Sequence, residues 1–180
     1  MVKRMFAISG VSLALLFVFW GMYLGTKKSV YFTLGIVAMT VCYHFTIRLV
    51  IGNLFDYKLR NCVDYKRKWF APRDFEEKLY KKLRVKKWKK YIPTADESLF
   101  SFENRTPKQI LMSGCQAEIV HEVCAGAGLL AMLLAFPFGE FWVFFATSIL
   151  AALCDLVFVA IQRYNRPRLL KLMERTRKNA

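Results

Sequence analysis

From Met5 to Leu24 the chain runs for twenty residues without a charged side chain, and three more long apolar runs follow. A helix rising about 1.5 Å per residue needs about that many residues to cross roughly 30 Å of hydrocarbon. The second run goes from Val30 to about Ile51, interrupted only by His44 and Arg48 near its far end. The third goes from about Glu118 to Phe138 and the fourth from Phe141 to about Ile161. A soluble domain of 180 residues would scatter its 56% hydrophobic side chains in short periodic stretches; here they are gathered. Hydrocarbon offers no partner to an unpaired backbone group, so the spans must be helices. The expected fold is an all-α integral membrane protein, a single domain over 1–180. About four transmembrane helices lie near 5–25, 30–52, 117–138 and 141–162, and amphipathic interfacial helices accompany them.

Lys3 and Arg4 ahead of an apolar stretch also fit a signal peptide. The run is longer than a usual signal core, no small-residue cleavage site of the A-x-A type follows it, and further spans come after, so it reads as a retained anchor. The five cysteines, Cys42, Cys62, Cys115, Cys124 and Cys154, are odd in number and widely spaced, which points to reduced thiols.

Charge orients the spans. The segment 53–116 holds sixteen Lys and Arg and the tail 163–180 holds seven, whereas the hairpin around Pro137 and Gly139 holds none. The positive-inside rule places both basic regions in the cytoplasm, and four spans then put the N-terminus there too, against only Lys27 and Lys28. The protein is expected to be multi-pass in the cell membrane with both termini cytoplasmic. A net charge of +15 could serve nucleic acid, but no nucleic-acid-binding motif is present, and anionic lipid headgroups account for a basic surface beside membrane helices. The expected partners are a lipid substrate and anionic membrane lipids, without nucleic acid. Gly126 and Gly128 with Ala125 and Ala127 permit close helix packing, within a chain or between chains, so the oligomeric state is open.

In the basic cap, the stretch from Arg73 to Val85 spaces Phe75, Leu79 and Leu83 four apart, one apolar stripe on a charged helix that should lie along the interface. Trp69, Phe70, Trp88, Tyr91 and Pro93 interleave with the basic residues, as rings at headgroup level do. From Pro93 to Pro107 the chain reads as an irregular loop containing Thr94, Asp96, Ser98, Asn104 and Thr106.

Candidate chemistry begins at the third span, where Glu118, His121 and Glu122 share one helical face. A carboxylate beside an imidazole can fix its tautomer and raise its basicity, as a general base acting on a hydroxyl requires. The plainer reading is a set of polar residues at a helix end near water, although ionisable groups at membrane depth are costly without a function. His44 and Arg48 lie four apart on the second span, Arg48 within snorkelling reach of water, and Asp155 stands near the middle of the fourth. Where the fourth span ends, Gln162 precedes Arg163, Asn165, Arg166 and Arg168. Three arginines within six residues, held at a helix exit by Pro167, suit a phosphate or carboxylate, or simply anchor the helix. Cys115, His121 and Cys124 lack zinc-site spacing, and no HExxH, Walker, GxGxxG or GxSxG pattern occurs, so no metal is expected.

The strings Val85-Lys-Lys-Trp-Lys89, Ala117-Glu-Ile-Val-His121 and Ile161-Gln-Arg-Tyr-Asn-Arg-Pro-Arg-Leu169 resemble the glycosyl-4,4'-diaponeurosporenoate acyltransferase family over roughly residues 65–172. That family includes an enzyme placing a fatty acyl group on the sugar of a glycosylated carotenoid acid. The resemblance implies a membrane acyltransferase acting on a hydroxyl of a glycolipid or glycosylated isoprenoid, with Lys86, Trp88, Lys89, Glu118, His121, Arg163, Asn165, Arg166 and Arg168 as matching positions. On this reading His121 is the base, Glu118 orients it with Glu122 alongside, and Lys86, Lys89 and the arginines hold an anionic donor. No tightly bound cofactor is expected; an acyl-CoA would serve as donor. Two other readings stay open: a small membrane methyltransferase or reductase with an adenosine-containing cofactor, and a lipid-binding scaffold without enzymatic activity.

Overall fold

The computed structural model describes residues 2–92, 97–103 and 105–178. Pro93, Thr94, Asp96 and Asn104 of the expected loop lie outside the described residues. All regular structure among the described residues is helical. The α-helices are α1 (Val2–Thr26), α2 (Ser29–Leu59), α3 (Asp74–Lys82), α4 (Val85–Trp88), α5 (Pro107–Leu130), α6 (Ala135–Phe138) and α7 (Phe141–Lys178). Among the described residues four stretches are long and apolar enough to cross a membrane: α1, α2, the run Pro107–Phe138 and α7.

Three of these helices run past the expected edges of the hydrocarbon. Hydropathy marks where lipid stops, not where helical hydrogen bonding stops. α5 starts at Pro107, ten residues before the apolar boundary near 117, because the sequence carries its own start signal there. Thr106 Oγ1 accepts the Gln109 N–H at 3.3 Å and Gln109 Oε1 accepts the Thr106 N–H at 2.9 Å, a reciprocal capping box, with proline at the first helical position. α7 continues through Pro167, which the sequence placed at a helix exit. Proline removes only the bond to the Arg163 carbonyl. The arginines beside it are tied to fixed partners, described below, which hold the helix on course. Its 38 residues reach about 57 Å, far beyond the hydrocarbon.

The chain divides into two compact units. The first comprises Leu54–Glu122 and Leu156–Ala180, and the second Val2–Asn53 and Val123–Asp155. In the first unit α2 ends at Leu59 and the chain turns through Arg60 and Asn61, both left-handed with φ of 48° and 58°. Gln116, buried on α5, clamps this turn. Its Oε1 accepts the Asn61 N–H at 2.8 Å, and its Nε2 donates to Asp56 Oδ1 at 2.6 Å. The segment beyond is held by Val63 and Phe70 packing with Cys115 and Ile119 of α5. Burying the Phe70 ring contributes about 1.5–3 kcal/mol.

Helix α3 has two contrasting faces. Phe75, Leu79 and Leu83, the expected stripe, point outward, while Glu76 and Tyr80 are buried. Arg84 then adopts a left-handed φ of 52° to redirect the chain into α4.

In the second unit α1 exposes apolar side chains along its length, including Phe6, Val11 and Phe17, as suits a helix solvated by lipid. Ser9 and Thr46 hydroxyls meet at 2.6 Å between α1 and α2. Trp20, Tyr23 and Phe32 pack ring to ring at 5.2–6.2 Å beside the α1–α2 turn, where an aromatic belt belongs.

Candidate functional site

The first unit is organised around two arginines of α7. Arg163 and Arg166 lie three residues apart on one helical face, and both are almost wholly buried. Arg163 Nη1 donates to Glu76 Oε1 at 2.7 Å, Nε lies 3.0 Å from Glu118 Oε1, and Nη2 reaches Glu122 Oε1 at 3.3 Å. Arg166 pairs through Nη2 with Glu118 Oε2, donates from Nη1 to the Phe70 carbonyl at 2.8 Å, and sits over the Phe70 ring. The remaining oxygen of Glu122 accepts the Trp69 indole N–H at 2.8 Å. The contact of Arg163 Nε with Glu118 Oε1 is an ion pair without hydrogen-bond alignment. A desolvated charge is tolerable only when it is paired in this way.

These contacts make Glu118 the anchor of both guanidinium groups. The expected role of orienting His121 would have to share oxygens already committed to Arg163 and Arg166. His121 itself is half-buried on α5, its ring stacked on Phe158 at 4.5 Å with 7° between the planes.

α3 and α7 wall a cleft of about 730 Å³. Eight of its fifteen lining residues are Lys or Arg and three are acidic. Of the residues expected to hold a donor, Lys86, Arg163 and Arg168 line it. Lys89 and Asn165 are joined to one another, Nζ donating to Oδ1 at 2.6 Å. The Tyr164 ring receives Lys89 at 5.0 Å and Arg168 at 4.3 Å, and Tyr80 stands edge-on to it. Burial, with the Arg168 charge adding to it, holds the Lys89 ammonium below the ordinary lysine range. Burial pushes the Tyr80 phenol up, and the Glu76 carboxylate raises it further. Trp88 turns its indole N–H to the Leu83 carbonyl at 2.9 Å, closing the turn that carries Arg84. Gln162 packs against α5, its Oε1 only 3.1 Å from where a Cβ on Gly114 would stand.

In the second unit His44, Arg48 and Asp155 form a group. Arg48 is ion-paired with Asp155, and its guanidinium also donates to the His44 carbonyl at 2.7 Å and the Ala151 carbonyl at 2.9 Å. A guanidinium so engaged braces helices. His44 is buried, edge-on to Tyr43, and lies against Gly128, whose missing side chain leaves room for the ring.

The strings that resemble one family thus supply Glu118, Arg163 and Arg166 to a single buried network. The family model for glycosyl-4,4'-diaponeurosporenoate acyltransferase matches residues 66–175, more than half of the chain. The chain belongs to that family. Comparison with curated proteins and with solved structures yields no match. This acyltransferase is a membrane protein whose matched region contains the arginine network, the cleft, His121 and Asp155, whereas His44 and Arg48 precede it.

Sequence reasoning missed three residues that build the acyltransferase's first unit, Glu76, Tyr80 and Gln116, and it placed Phe70 among the rings at headgroup level, whereas that ring is buried beneath Arg166. Glu76 belongs to a charged helix where Glu77 beside it is fully exposed, and nothing local separates the two. The available signal was the spacing. Glu76 and Tyr80 are four apart, as Phe75 and Leu79 are, so the helix had two stripes from which to choose an inner face.

Proposed function

We propose that this acyltransferase transfers a fatty acyl group to a hydroxyl of a glycolipid or glycosylated isoprenoid at the cytoplasmic leaflet of the cell membrane, with both termini cytoplasmic. The observation that carries the reading is the buried network in which Glu118 anchors Arg163 and Arg166, three family-matching residues brought together from α5 and α7. In the proposed reaction His121 takes the proton of the acceptor hydroxyl while its oxygen bonds to the carbonyl carbon of an acyl thioester. The carbon–sulfur bond then breaks, and the leaving thiolate recovers the proton from His121.

The outward stripe of α3 supports a second part of the proposal, contact with anionic lipid. Phe75, Leu79 and Leu83 face away from the unit, and the exposed Lys78 and Lys82 flank them. Apolar side chains can enter the boundary of the acyl region while lysines meet headgroup phosphates.

Comparing lipid extracts by mass spectrometry, from cells with and without the wild-type chain, tests the function. A new species heavier by one acyl chain supports transfer and identifies the acceptor. A gain of one methyl or of two hydrogens would point to the methyltransferase or reductase chemistry, and no difference would point to a scaffold.

A further inference from the structure

The cleft walled by α3 and α7 carries more positive charge than its own acids neutralise. Glu76 is engaged by Arg163, and Glu77 by Lys81 at 2.7 Å. Six basic residues of its lining, Arg73, Arg84, Lys86, Lys87, Arg168 and Lys171, form no ion pair with an acid among the described residues. Gathering like charges around a concave space is unfavourable unless an anion shares it.

Three features give the cleft a definite shape. The Arg163–Glu76 pair fixes the separation of α3 and α7 at one point of its wall. Arg168 is held over the Tyr164 ring at 4.3 Å, so its fork is positioned before any ligand arrives. Arg84 is turned into the lining by a left-handed backbone that an arginine rarely adopts, and strain of this kind persists where the surroundings impose it. The volume of about 730 Å³ suits a small molecule.

We propose that this cleft binds phosphate groups, the chemistry carried by the nucleotide end of a coenzyme A thioester and also by anionic lipid headgroups. The nucleotide source rests on the acyl-transfer reading above; phosphate binding does not. Arg73, Arg84, Lys86 and Lys171 meet the phosphate oxygens, with Arg168 as a bidentate partner.

The test uses the full chain in phosphatidylcholine nanodiscs with adenosine 3',5'-bisphosphate as probe. Saturable binding is expected, weakening as salt rises. The exposed double variant Arg84→Gln/Lys171→Gln, outside the buried network, should bind about tenfold more weakly or worse. If nanodiscs containing phosphatidylglycerol abolish binding of the bisphosphate to the wild type but change nothing in the variant, the cleft holds phosphates from lipid headgroups. If binding persists in both membranes, the nucleotide is the source. Equal bisphosphate binding by variant and wild type, or no binding in either membrane, overturns the proposal. None of these readings requires turnover, so the cleft can fail while acyl transfer stands, and the reverse.

Discussion

Arg163 and Glu76 stand 87 positions apart and meet at 2.7 Å with both side chains almost wholly buried. The pair fastens α3, a short helix that packs only one polar face inward, to the long helix α7. Glu76→Gln keeps the shape and removes the charge. Breaking a buried pair typically costs about 3–5 kcal/mol, and the lower end is expected because Arg163 keeps Glu118 and Glu122. Limited proteolysis in detergent should show faster cleavage at the lysines of α3, together with a lowered melting temperature. Unchanged cleavage would mean that the pair does not hold α3 in place.

Glu118→Gln should be more damaging than Glu76→Gln, since Glu118 serves two buried guanidinium groups and its loss leaves Arg166 without a carboxylate partner among the described residues. Melting curves of the two variants side by side give the order. If Glu76→Gln melts lower, Glu118 is not the anchor of the network.

Lys89 gives a pH dependence of definite sign. Its folded pKa lies below the unfolded value, so between the two the unfolded chain binds more protons, and this residue's contribution to stability rises with pH across that window. Its penalty is present in full below the lowered value and is relieved as pH climbs toward the ordinary lysine range. Melting temperatures of wild type and Lys89→Met, measured from neutral to alkaline pH, should therefore differ by an amount that changes in favour of the wild type as pH rises. A constant difference would contradict the assignment.

The outer face of α3 can be read spectroscopically. Phe75→Trp adds a reporter at an exposed position. In anionic vesicles its emission should shift to the blue and be quenched by lipids brominated near the headgroup. A water-like emission maximum without quenching would place this face away from the bilayer.

The four spans were legible because a run such as Met5–Leu24 has no alternative fold in which to hide its apolar side chains. Helix ends were less so. The start of α5 was written in Thr106, Pro107 and Gln109, a local capping signal that hydropathy does not register. The passage of α7 through Pro167 depends on partners contributed by α3, α5 and the Phe70 carbonyl, which no local pattern around the proline reveals. At the candidate site, Glu118, Arg163 and Arg166 stood out as charges near membrane depth, whereas Glu76 became visible only once α3 had chosen its buried face. Lys89 and Trp88 were legible as residues, and the structure adds the contacts that each makes. One meets Asn165 and the other closes a turn, contacts that spacing alone does not reveal.

Acyl transfer with His121 as base can be measured with the purified chain in nanodiscs, an acyl-CoA carrying a labelled acyl group, and the acceptor lipid identified from cell extracts. His121→Gln, checked for an unchanged melting temperature, should lower the rate of label transfer by about 10²-fold or more. A variant that transfers label at the wild-type rate would place the base elsewhere.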